Sequence, residues 1–387
     1  MRKKILDCNW LNHPSIQYLS KIFEDSGYDI LFVGGCVRNS ILKEPVSDFD
    51  IATAAHPEEI IKICKKNNVK FIPTGIKHGT LTIILDEKTY QITTFRTDEK
   101  SFGRHAKVKF VDSLALDASR RDLTINALYC TVHGEIIDPL NAFGDLKDGI
   151  IKFIGDPNKR ILEDHLRILR FFRFYALYGD KNKYMDSNAL KACKTHHEQI
   201  NTLSKERITA EVKKLLSAPN PISAIGNMAK INVLNQILES YSIEPFSNYI
   251  KLEKKFKVKV NWIGRLLSLQ QNNQNNKLLL TKKERQLIKK LNIAIYCNTP
   301  IHEFSYYNGS EVGLIYYLLQ HCFGILNIEK SHIDDILSIN EHLFPITASD
   351  LNPKYQGKEI GEKLGQLEQK WIKSKFTLSK HEMLLMQ

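Results

Sequence analysis

Several features are missing from this 387-residue sequence, and each absence removes a class of protein. No Cys-x-x-Cys pair occurs, and the seven cysteines are odd in number and far apart, which argues against a disulfide framework and a zinc knuckle. No apolar run is long enough to span a bilayer. The basic start, Met1 to Lys4, is not followed by an apolar segment of signal-peptide type. We therefore expect a cytoplasmic protein with reduced thiols and no membrane association.

Acidic residues are outnumbered by basic ones, which leaves a net charge of +12. Such an excess favours polyanionic partners, although a lysine-rich composition without any ligand would give the same charge. Hydrophobic residues make up 43% of the chain, which is ordinary for a soluble globular protein. The length allows two or more domains.

Apolar patterning divides the chain into an α/β part and a helical part. Strands are predicted at 29–33, 80–85, 89–96 and 106–111, and a helix is predicted at 57–67. The polar segment 97–105 is expected to be a mobile loop. From about residue 158 the strand signals fade, and helices are predicted at 159–178 and 205–217. The Gln/Asn segment 270–276 predicts a loop, and a capping box at Thr281 predicts the start of another helix.

Asp48 and Asp50 stand two positions apart, shortly after the glycine pair Gly34-Gly35. In a strand, side chains alternate between faces, so both carboxylates would point one way and Phe49 would enter the core. Paired carboxylate oxygens suit Mg²⁺, and a glycine turn suits a phosphate. A solvated Asp-x-Asp turn is the alternative. The combination predicts metal-assisted chemistry on a nucleoside triphosphate.

Two further groups of charged residues could contact such a ligand. Arg38 follows the glycine turn and adds a positive charge for the phosphates. Arg120, Arg121, Asp122 and Asn126 form a polar cluster in an apolar context, where they could hold phosphates and a ribose hydroxyl. For this cluster, a charge network at the start of a helix is the alternative.

The last cluster lies in the predicted helix 159–178, where successive residues turn by about 100°. Asp164 and Arg167 would then lie within about 60° of each other, so they are the best ligand candidates. Arg170 lies beside this face, whereas Arg173 drifts toward the apolar side and is expected to be structural or at the rim. The core side is expected to hold Leu162, Leu166, Leu169 and Ala176. A surface ion pair between Asp164 and Arg167 is the alternative.

An Asp/Arg pair can distinguish nucleobases. Adenine and cytosine each present an amino donor beside a ring-nitrogen acceptor, which matches a carboxylate beside a guanidinium. Uracil and guanine present a carbonyl and an N–H instead, and leaving such buried groups mispaired costs a few kcal/mol. The pair could therefore select A and C without a nucleic-acid template.

Five motifs follow one another along the chain in an order typical of a known family. They are Gly34-Gly35-Cys36-Val37-Arg38, Asp48-Phe49-Asp50, Arg121 to Ala127, Glu163-Asp164-His165-Leu166-Arg167, and Glu206-Arg207 with Glu211. Over nearly its whole length, the sequence resembles the class II tRNA nucleotidyltransferases and bacterial poly(A) polymerases. The resemblance implies an α+β fold. A polymerase-β-like nucleotidyltransferase head would occupy residues 1–150, followed by a nucleobase-recognising neck at 151–217. A helical body would occupy 218–280 and a tRNA-binding tail 281–387.

The resemblance also implies roles for individual residues. Asp48 and Asp50 would bind Mg²⁺ ions and be catalytic. The implied nucleotide-binding residues fall into three groups. The glycine turn with Gly34 and Gly35 would contact the triphosphate together with Arg38 and Arg121, and Asp122 would contact the ribose, with Asn126 nearby. The base would be contacted by Asp164 and Arg167, supported by Arg170 and Arg173. Glu206, Arg207 and Glu211 would stabilise the neck. The segment 97–105 would correspond to the family's flexible loop, which is tied to the switch from C to A addition.

Two positions depart from the family pattern. Asn39 stands where an aspartate usually follows the arginine, which removes a charge from a stabilising position. Gln91 stands where a carboxylate often precedes the Thr-Thr pair, so a third carboxylate ligand or base is doubtful there.

The implied function is addition of CCA to the 3′ end of tRNA from CTP and ATP, with two Mg²⁺ ions and release of pyrophosphate. Poly(A) polymerases and partial enzymes that add only CC or only A are alternatives from the same family. A catalytically inactive RNA-binding protein on the same fold is an alternative from another class. No protein partner is inferred.

Overall fold

A computed structural model of the chain describes residues 5–100, 107–180, 185–270, 277–352 and 354–386. The chain divides into two compact units, Met1–Ile237 and Leu238–Gln387. The predicted boundaries after residues 150, 217 and 280 remain predictions. Among the described helices, none is both long and apolar enough to cross a membrane.

The first unit is built on a seven-stranded sheet. The strands are β1 (Ile30–Val33), β2 (Asp50–Thr53), β3 (Lys70–Gly75), β4 (Thr80–Leu85), β5 (Lys88–Thr94), β6 (Arg96–Lys100), β7 (Lys107–Phe110), β8 (Tyr129–Cys130) and β9 (Ile136–Ile137). The sheet order is β3-β4-β5-β2-β1-β8-β9, and β6 and β7 form a separate two-stranded sheet. β2 and β5 pair in parallel, whereas the other neighbours pair antiparallel.

The structure corrects the expected loop at 97–105. Residues 97–100 belong to β6, which pairs with β7. Residues 101–105 lie outside the described residues. The pairing gives backbone N–H and C=O groups of both segments hydrogen-bond partners.

The helices of the first unit pack around the sheet and continue beyond it. They are α1 (Pro14–Glu24), α2 (Gly35–Ile41), α3 (Pro57–Lys66), α4 (Leu114–Ser119), α5 (Phe143–Lys147), α6 (Pro157–Glu163), α7 (Leu166–Tyr178), α8 (Ser187–Thr195), α9 (Lys205–Leu216) and α10 (Pro221–Lys230). α3 shows why such helices form where they do. Pro57 occupies its first turn, Glu59 accepts from the His56 N–H at 2.9 Å, and Ile60 is fully buried.

The predicted single helix at 159–178 is wrong, because the chain breaks between α6 and α7. Asp164 is extended, with φ −156° and ψ 107°, and its carboxylate accepts from the Leu166 N–H at 3.1 Å. An aspartate that bonds to nearby backbone competes with the helix in this way. Leu162 was expected in the core but is 56% exposed, whereas Leu169 is buried as expected.

The second unit is helical throughout its described residues, apart from an isolated bridge between Tyr241 and Gln270. Its helices are α11 (Ile243–Lys255), α12 (Trp262–Leu269), α13 (Lys282–Tyr296), α14 (Ile301–Asn308), α15 (Ser310–Cys322), α16 (Lys330–Leu337), α17 (Ala348–Leu351), α18 (Lys358–Lys373) and α19 (Lys380–Leu385). The predicted capping box is confirmed, since Thr281 accepts from the Glu284 N–H. Of the predicted loop at 270–276, residues 271–276 lie outside the described part of the chain.

Candidate active site

The glycine pair begins the site at the end of β1. Gly34 adopts φ 71° and ψ −117°, a backbone region that favours glycine, and α2 starts at Gly35. The Gly34 N–H donates to the Leu128 carbonyl at 3.2 Å, and the glycine pair borders a cavity of about 350 Å³.

The cavity brings together most of the residues predicted from the sequence. Its lining includes Gly34, Gly35, Arg38, Asp48, Asp50, Arg121, Asp122, Asn126, Arg170 and Arg173, together with Cys36, Asn39, Val46, Ser47, Phe174 and Lys214. Asp164 and Arg167 do not line it. Cations from four separate chain segments thus line the same cavity as Asp48 and Asp50.

The two carboxylates occupy neighbouring positions, although only one lies in a strand. β2 begins at Asp50, and Asp48 lies in the segment before it, contrary to the expected continuous strand. Phe49 turns inward as predicted, and its ring lies 5.1 Å from that of Trp10 and 6.3 Å from that of Phe32. Gln91 is the β5 partner of Asp50, so an amide stands beside this carboxylate.

The Asp50 carboxylate has the environment of a cation ligand. It opens on the cavity, and within the described chain it accepts no hydrogen bond and lies in no ion pair. Loss of water raises the pKa of Asp50, and so does the nearby Asp48 charge, whereas Arg121 lowers it. No described group of three or more His, Cys, Asp or Glu could hold a metal, so oxygen donors from this pair are the available set. An oxygen-only pair fits a hard divalent cation.

Arg121 is held in place by groups behind the cavity. Its Nη2 donates to Asp117 at 3.0 Å and its Nε donates to the Tyr129 hydroxyl at 3.0 Å, which itself donates to Asp117 at 2.7 Å. Burial would lower the pKa of Arg121, but Tyr129 and Asp117 together raise it. The guanidinium therefore stays charged, with its Nη1 beside Gly34.

Asp122 is buried, and its carboxylate accepts hydrogen bonds from several parts of the chain. Its carboxylate accepts from the Leu123 N–H at 2.8 Å, from Asn126 Nδ2 at 2.9 Å, and from Nε and Nη2 of Arg170 at 2.6 Å each. Burial would raise the pKa of Asp122, but Arg170 and Asn126 outweigh it and lower the pKa to about 2. These four donors occupy the carboxylate, so its implied contact with a ribose stays a prediction.

Glu211 of helix α9 lies close to two of the arginines that line the cavity. Glu211 is buried and accepts from Arg173 Nε at 2.5 Å, and it lies 3.9 Å from Arg170. Arg173 is itself buried and lies 4.1 Å above the Phe174 ring, which agrees with its expected structural character.

The sequence matches known families and proteins along most of its length. Residues 30–152 match the sequence model of the poly(A) polymerase head domain, and residues 185–243 match that of the probable RNA and SrmB-binding site of polymerase A. The mitochondrial CCA tRNA nucleotidyltransferase 1 of Homo sapiens is 30% identical over 397 residues, which cover 95% of this chain and 88% of the relative. The CCA-adding enzyme of Limosilactobacillus reuteri (strain DSM 20016) is 41% identical over 214 residues, 55% of this chain and 51% of the relative.

Solved structures of CCA-adding enzymes also match this chain. The Bacillus stearothermophilus CCA-adding enzyme in complex with CTP matches with a TM-score of 0.68 and 25% identity, covering 96% of each chain. The Thermotoga maritima CCA-adding enzyme complexed with tRNA(CCA) has the same fold, with a TM-score of 0.69 and 21% identity over 99% of this chain and 98% of that one.

The chain belongs to the CCA-adding tRNA nucleotidyltransferase family.

Family membership confirms the predicted resemblance and the α+β fold class, and it makes the protein a nucleotidyltransferase. The mixed head and helical remainder correspond to those of the CCA-adding enzymes along nearly the whole chain. The matched head segment contains the glycine turn, both carboxylates and the Arg121 cluster.

The base-contacting pair implied by the family is arranged differently from the sequence expectation. Asp164 and Arg167 do not share one helix: Asp164 follows α6 and Arg167 belongs to α7. Asp164 pairs with Arg207 of α9 at 2.6 Å, whereas Arg167 pairs with Glu163 and donates to the Arg120 carbonyl at 3.2 Å. The alternative of a surface ion pair between the two residues is not found among the described ion pairs.

Sequence reasoning missed four residues of the site. Asp117 and Tyr129 position Arg121, Tyr178 contacts Arg38, and Lys214 lines the cavity. Asp117 lies four residues before Arg121, a spacing typical of ion pairs within one helical turn, which could have indicated the pair. Tyr178 and Lys214 come from distant helices, and no sequence spacing marks them.

Proposed function

We propose that this nucleotidyltransferase adds C, C and A to the 3′ end of tRNA from CTP and ATP and releases pyrophosphate. The observation that supports this most is the cavity, in which Asp48 and Asp50 face the cations Arg38 and Arg121 at a glycine turn. Relatives named CCA-adding enzymes match nearly the whole chain, and one was solved with CTP.

Asp48 and Asp50 would hold two Mg²⁺ ions, consistent with their oxygen donors and the unpaired Asp50 carboxylate. When bound, such ions activate the 3′ hydroxyl and stabilise the charge on the leaving pyrophosphate. The chain's own residues orient the nucleotide: Arg121 is fixed by Asp117 and contributes a charge beside the glycine turn. Positioning of this kind accounts for much of phosphoryl-transfer catalysis.

Asp164 and Arg167 would recognise the base. Both have internal partners, yet within the described chain the Nε–H of Arg167 donates to nothing, and the Asp164 carboxylate accepts only from Arg207 and the Leu166 N–H. A carboxylate has further lone pairs, so a nucleobase edge can be added without breaking either contact. The amino group and ring nitrogen of A or C match these groups.

The four-part division into head, neck, body and tail, with tRNA held by the basic helical part, is part of the proposal. So is a cytoplasmic location, although three relatives are mitochondrial proteins. A poly(A) polymerase is the second candidate, because the head matches a family model of that description.

Three tRNA transcripts separate the candidates: one ends before CCA, one after the first C, and one after CC. Each is incubated with each NTP separately and the products are sized on a gel. Full CCA addition predicts C incorporation into the first two transcripts and a single A on the third. Many A residues on any transcript would indicate a poly(A) polymerase, and activity on only one step would indicate a partial enzyme. No incorporation would favour an RNA-binding protein.

A further inference from the structure

The second unit contains a cavity to which the proposed function gives no role. Its volume is about 430 Å³, within the range of about 300–1,000 Å³ that is usual for small-molecule sites. Its lining combines three imidazoles, a cation, a carboxylate and an aromatic ring. The histidine cavity is defined by His302, His332, His342, Lys375, Asp335 and Phe376, and three isoleucines supply most of the remaining lining.

The three imidazoles do not form a metal site. Among the described residues, no group of three or more His, Cys, Asp or Glu could hold a metal ion. The Tyr317 hydroxyl lies 3.1 Å from Nδ1 of His332, so one nitrogen of this ring already has a partner. Burial lowers the pKa of His302, and the nearby charge of Lys375 lowers it further, so this ring is uncharged at neutral pH. The lining therefore suits an organic ligand.

Phe376 and His342 form a stacked aromatic pair at the histidine cavity. Their ring centroids lie 4.5 Å apart, and their planes meet at 17°. The Phe376 ring is held in turn by Trp371 at 4.9 Å and by Tyr306 at 5.6 Å. His342 is half-buried, yet within the described chain its imidazole makes no hydrogen bond. A flat heterocycle in the cavity can therefore stack on this pair and bond to the imidazole nitrogens.

The backbone that carries Lys375 and Phe376 has a costly conformation. Their φ angles are 57° and 67°, in the left-handed region that glycine adopts more readily. Their N–H groups donate to the Ile372 and Trp371 carbonyls at 2.9 and 3.0 Å, which ends α18. Glycine would end the helix at lower cost, but it would bring no ammonium and no aromatic ring to the cavity. Backbone strain of this kind is concentrated at functional sites.

Charged groups of the histidine cavity are available to a ligand. Lys375 and Asp335 are exposed, and within the described chain neither side chain lies in an ion pair. An ammonium can pair with a phosphate, and a carboxylate can accept from an amino group or a ribose hydroxyl. A stacking face, a cation and an acceptor together match the base, phosphate and sugar of a nucleotide.

We propose that the histidine cavity binds one unstacked nucleotide, with its base on the pair of His342 and Phe376 and its phosphate at Lys375. Two sources present these same groups, a nucleotide of an RNA strand and a free mononucleotide. The RNA source rests on the proposed function, whereas the free mononucleotide does not. The histidine cavity shares no residue with the catalytic cavity, whose lining belongs to the first unit.

Two substitutions in the full-length chain test the stacking face and the charge separately. His342→Ala removes the imidazole, and Lys375→Glu reverses the charge. Lys373→Glu is the matched control for charge, because Lys373 is also exposed at the end of α18 but does not line the histidine cavity. His381→Ala removes an imidazole that does not line it.

Equilibrium dialysis with AMP tests the free source, and filter binding of a tRNA transcript without CCA tests the RNA source. A free nucleotide predicts that both cavity variants lose about one equivalent of bound AMP per chain and keep the wild-type tRNA affinity. An RNA nucleotide predicts that the Kd for tRNA rises about tenfold in both, as expected for loss of one stacked base or of its phosphate contact, with both controls within about twofold of the wild type. AMP bound in the catalytic cavity cancels in these comparisons, because no variant alters that site.

Wild-type values in both measurements for either cavity variant, or equal losses in the controls, would overturn the inference. If thermal melts show that one cavity variant does not fold, the other decides alone. Neither measurement requires catalysis. A protein that binds AMP or tRNA through the histidine cavity but adds no nucleotide to tRNA would therefore contradict the proposed function and leave this inference standing.

Discussion

At the scale of the residue, the proposed metal site depends on Asp48 and Asp50. Asp50→Asn and Asp48→Asn keep side-chain size and remove the charge that would hold the ions. We expect incorporation from both CTP and ATP to fall at least about 100-fold in gel assays. tRNA affinity should stay near the wild-type value, because it comes from the basic surface.

A second measurement does not depend on activity. A bound ion stabilises the folded state, so Mg²⁺ should raise the Tm of the wild type and of the exposed control Asp25→Asn, but not that of Asp50→Asn. Near-normal incorporation by either carboxamide variant in Mg²⁺ would show that these carboxylates are not the metal ligands.

Asp164 and Arg167 allow a test of base selection at the same scale. Asp164→Ala removes the acceptor for an amino group and also the group that opposes the carbonyl of U or G. Correct incorporation should fall while UTP or GTP use rises relative to it, and Arg167→Ala should weaken ATP and CTP alike. Changes of about ten- to a hundredfold correspond to the loss of a bidentate contact.

The contacts seen for these residues define the competing outcome. Asp164 pairs with Arg207 and Arg167 pairs with Glu163. If they serve only as internal ion pairs, kcat/KM for all four NTPs would keep its wild-type ratios and only the Tm would fall. A wild-type ratio of CTP to UTP use in Asp164→Ala would therefore exclude base recognition by this residue.

At the scale of the element, one ion pair joins α7 to the segment that follows α4. Asp122 and Arg170 are bonded through two nitrogens, and the pKa of Asp122 lies at about 2 in the folded state. An unfolded aspartate has a pKa of about 3.9, so the pair stabilises the fold above that pH and loses its effect as the pH falls toward the lower value. Asp122→Asn should cost about 2 kcal/mol of unfolding free energy at neutral pH.

Urea unfolding of the wild type and Asp122→Asn from neutral pH down to about pH 2 checks this expectation. The difference between the two proteins should be constant at neutral pH and shrink below about pH 4. A difference that does not change with pH would mean that packing, and not the charge of Asp122, connects the two elements.

The hairpin of β6 and β7 is a second element with an expected role. At its base, the Arg96 N–H donates to Asp117, the carboxylate that also holds Arg121. Family resemblance implies that the segment between these strands matters for A addition. Shortening residues 101–105 should give products that stall at CC, measured by sizing products made from CTP and ATP together. Equal loss of C and A addition, or no loss, would contradict this role.

At the scale of the whole molecule, the net charge of +12 should govern RNA affinity. Binding to several phosphates releases counterions, so the logarithm of tRNA affinity should fall with the logarithm of salt concentration with a slope of several units. Filter binding from about 50 to 200 mM salt measures the slope. A flat dependence would show that the excess charge does not contact RNA.

Local patterns in the sequence determined the parts of this protein that depend on near neighbours. The helix at α3, the capping box at Thr281 and the inward Phe49 follow from periodicity and capping, which act within a few residues. The order of the motifs likewise indicated that the glycine turn and the two carboxylates share one site.

Only tertiary structure decided which distant groups meet. The break at Asp164 follows from its bonds to Leu166 N–H and to Arg207, and two helices separate Asp164 from the helix that carries Arg207. Tyr178 reaches Asn39 across 139 positions, a pairing that no spacing in the sequence encodes. Ion pairs and hydrogen bonds depend on distances of a few ångströms, and those distances are set by how helices such as α7 and α9 pack against each other. Most of the residues that line the cavity were therefore named from the sequence, whereas Lys214, Tyr178 and the hydrogen-bond partners of the arginines came from the fold.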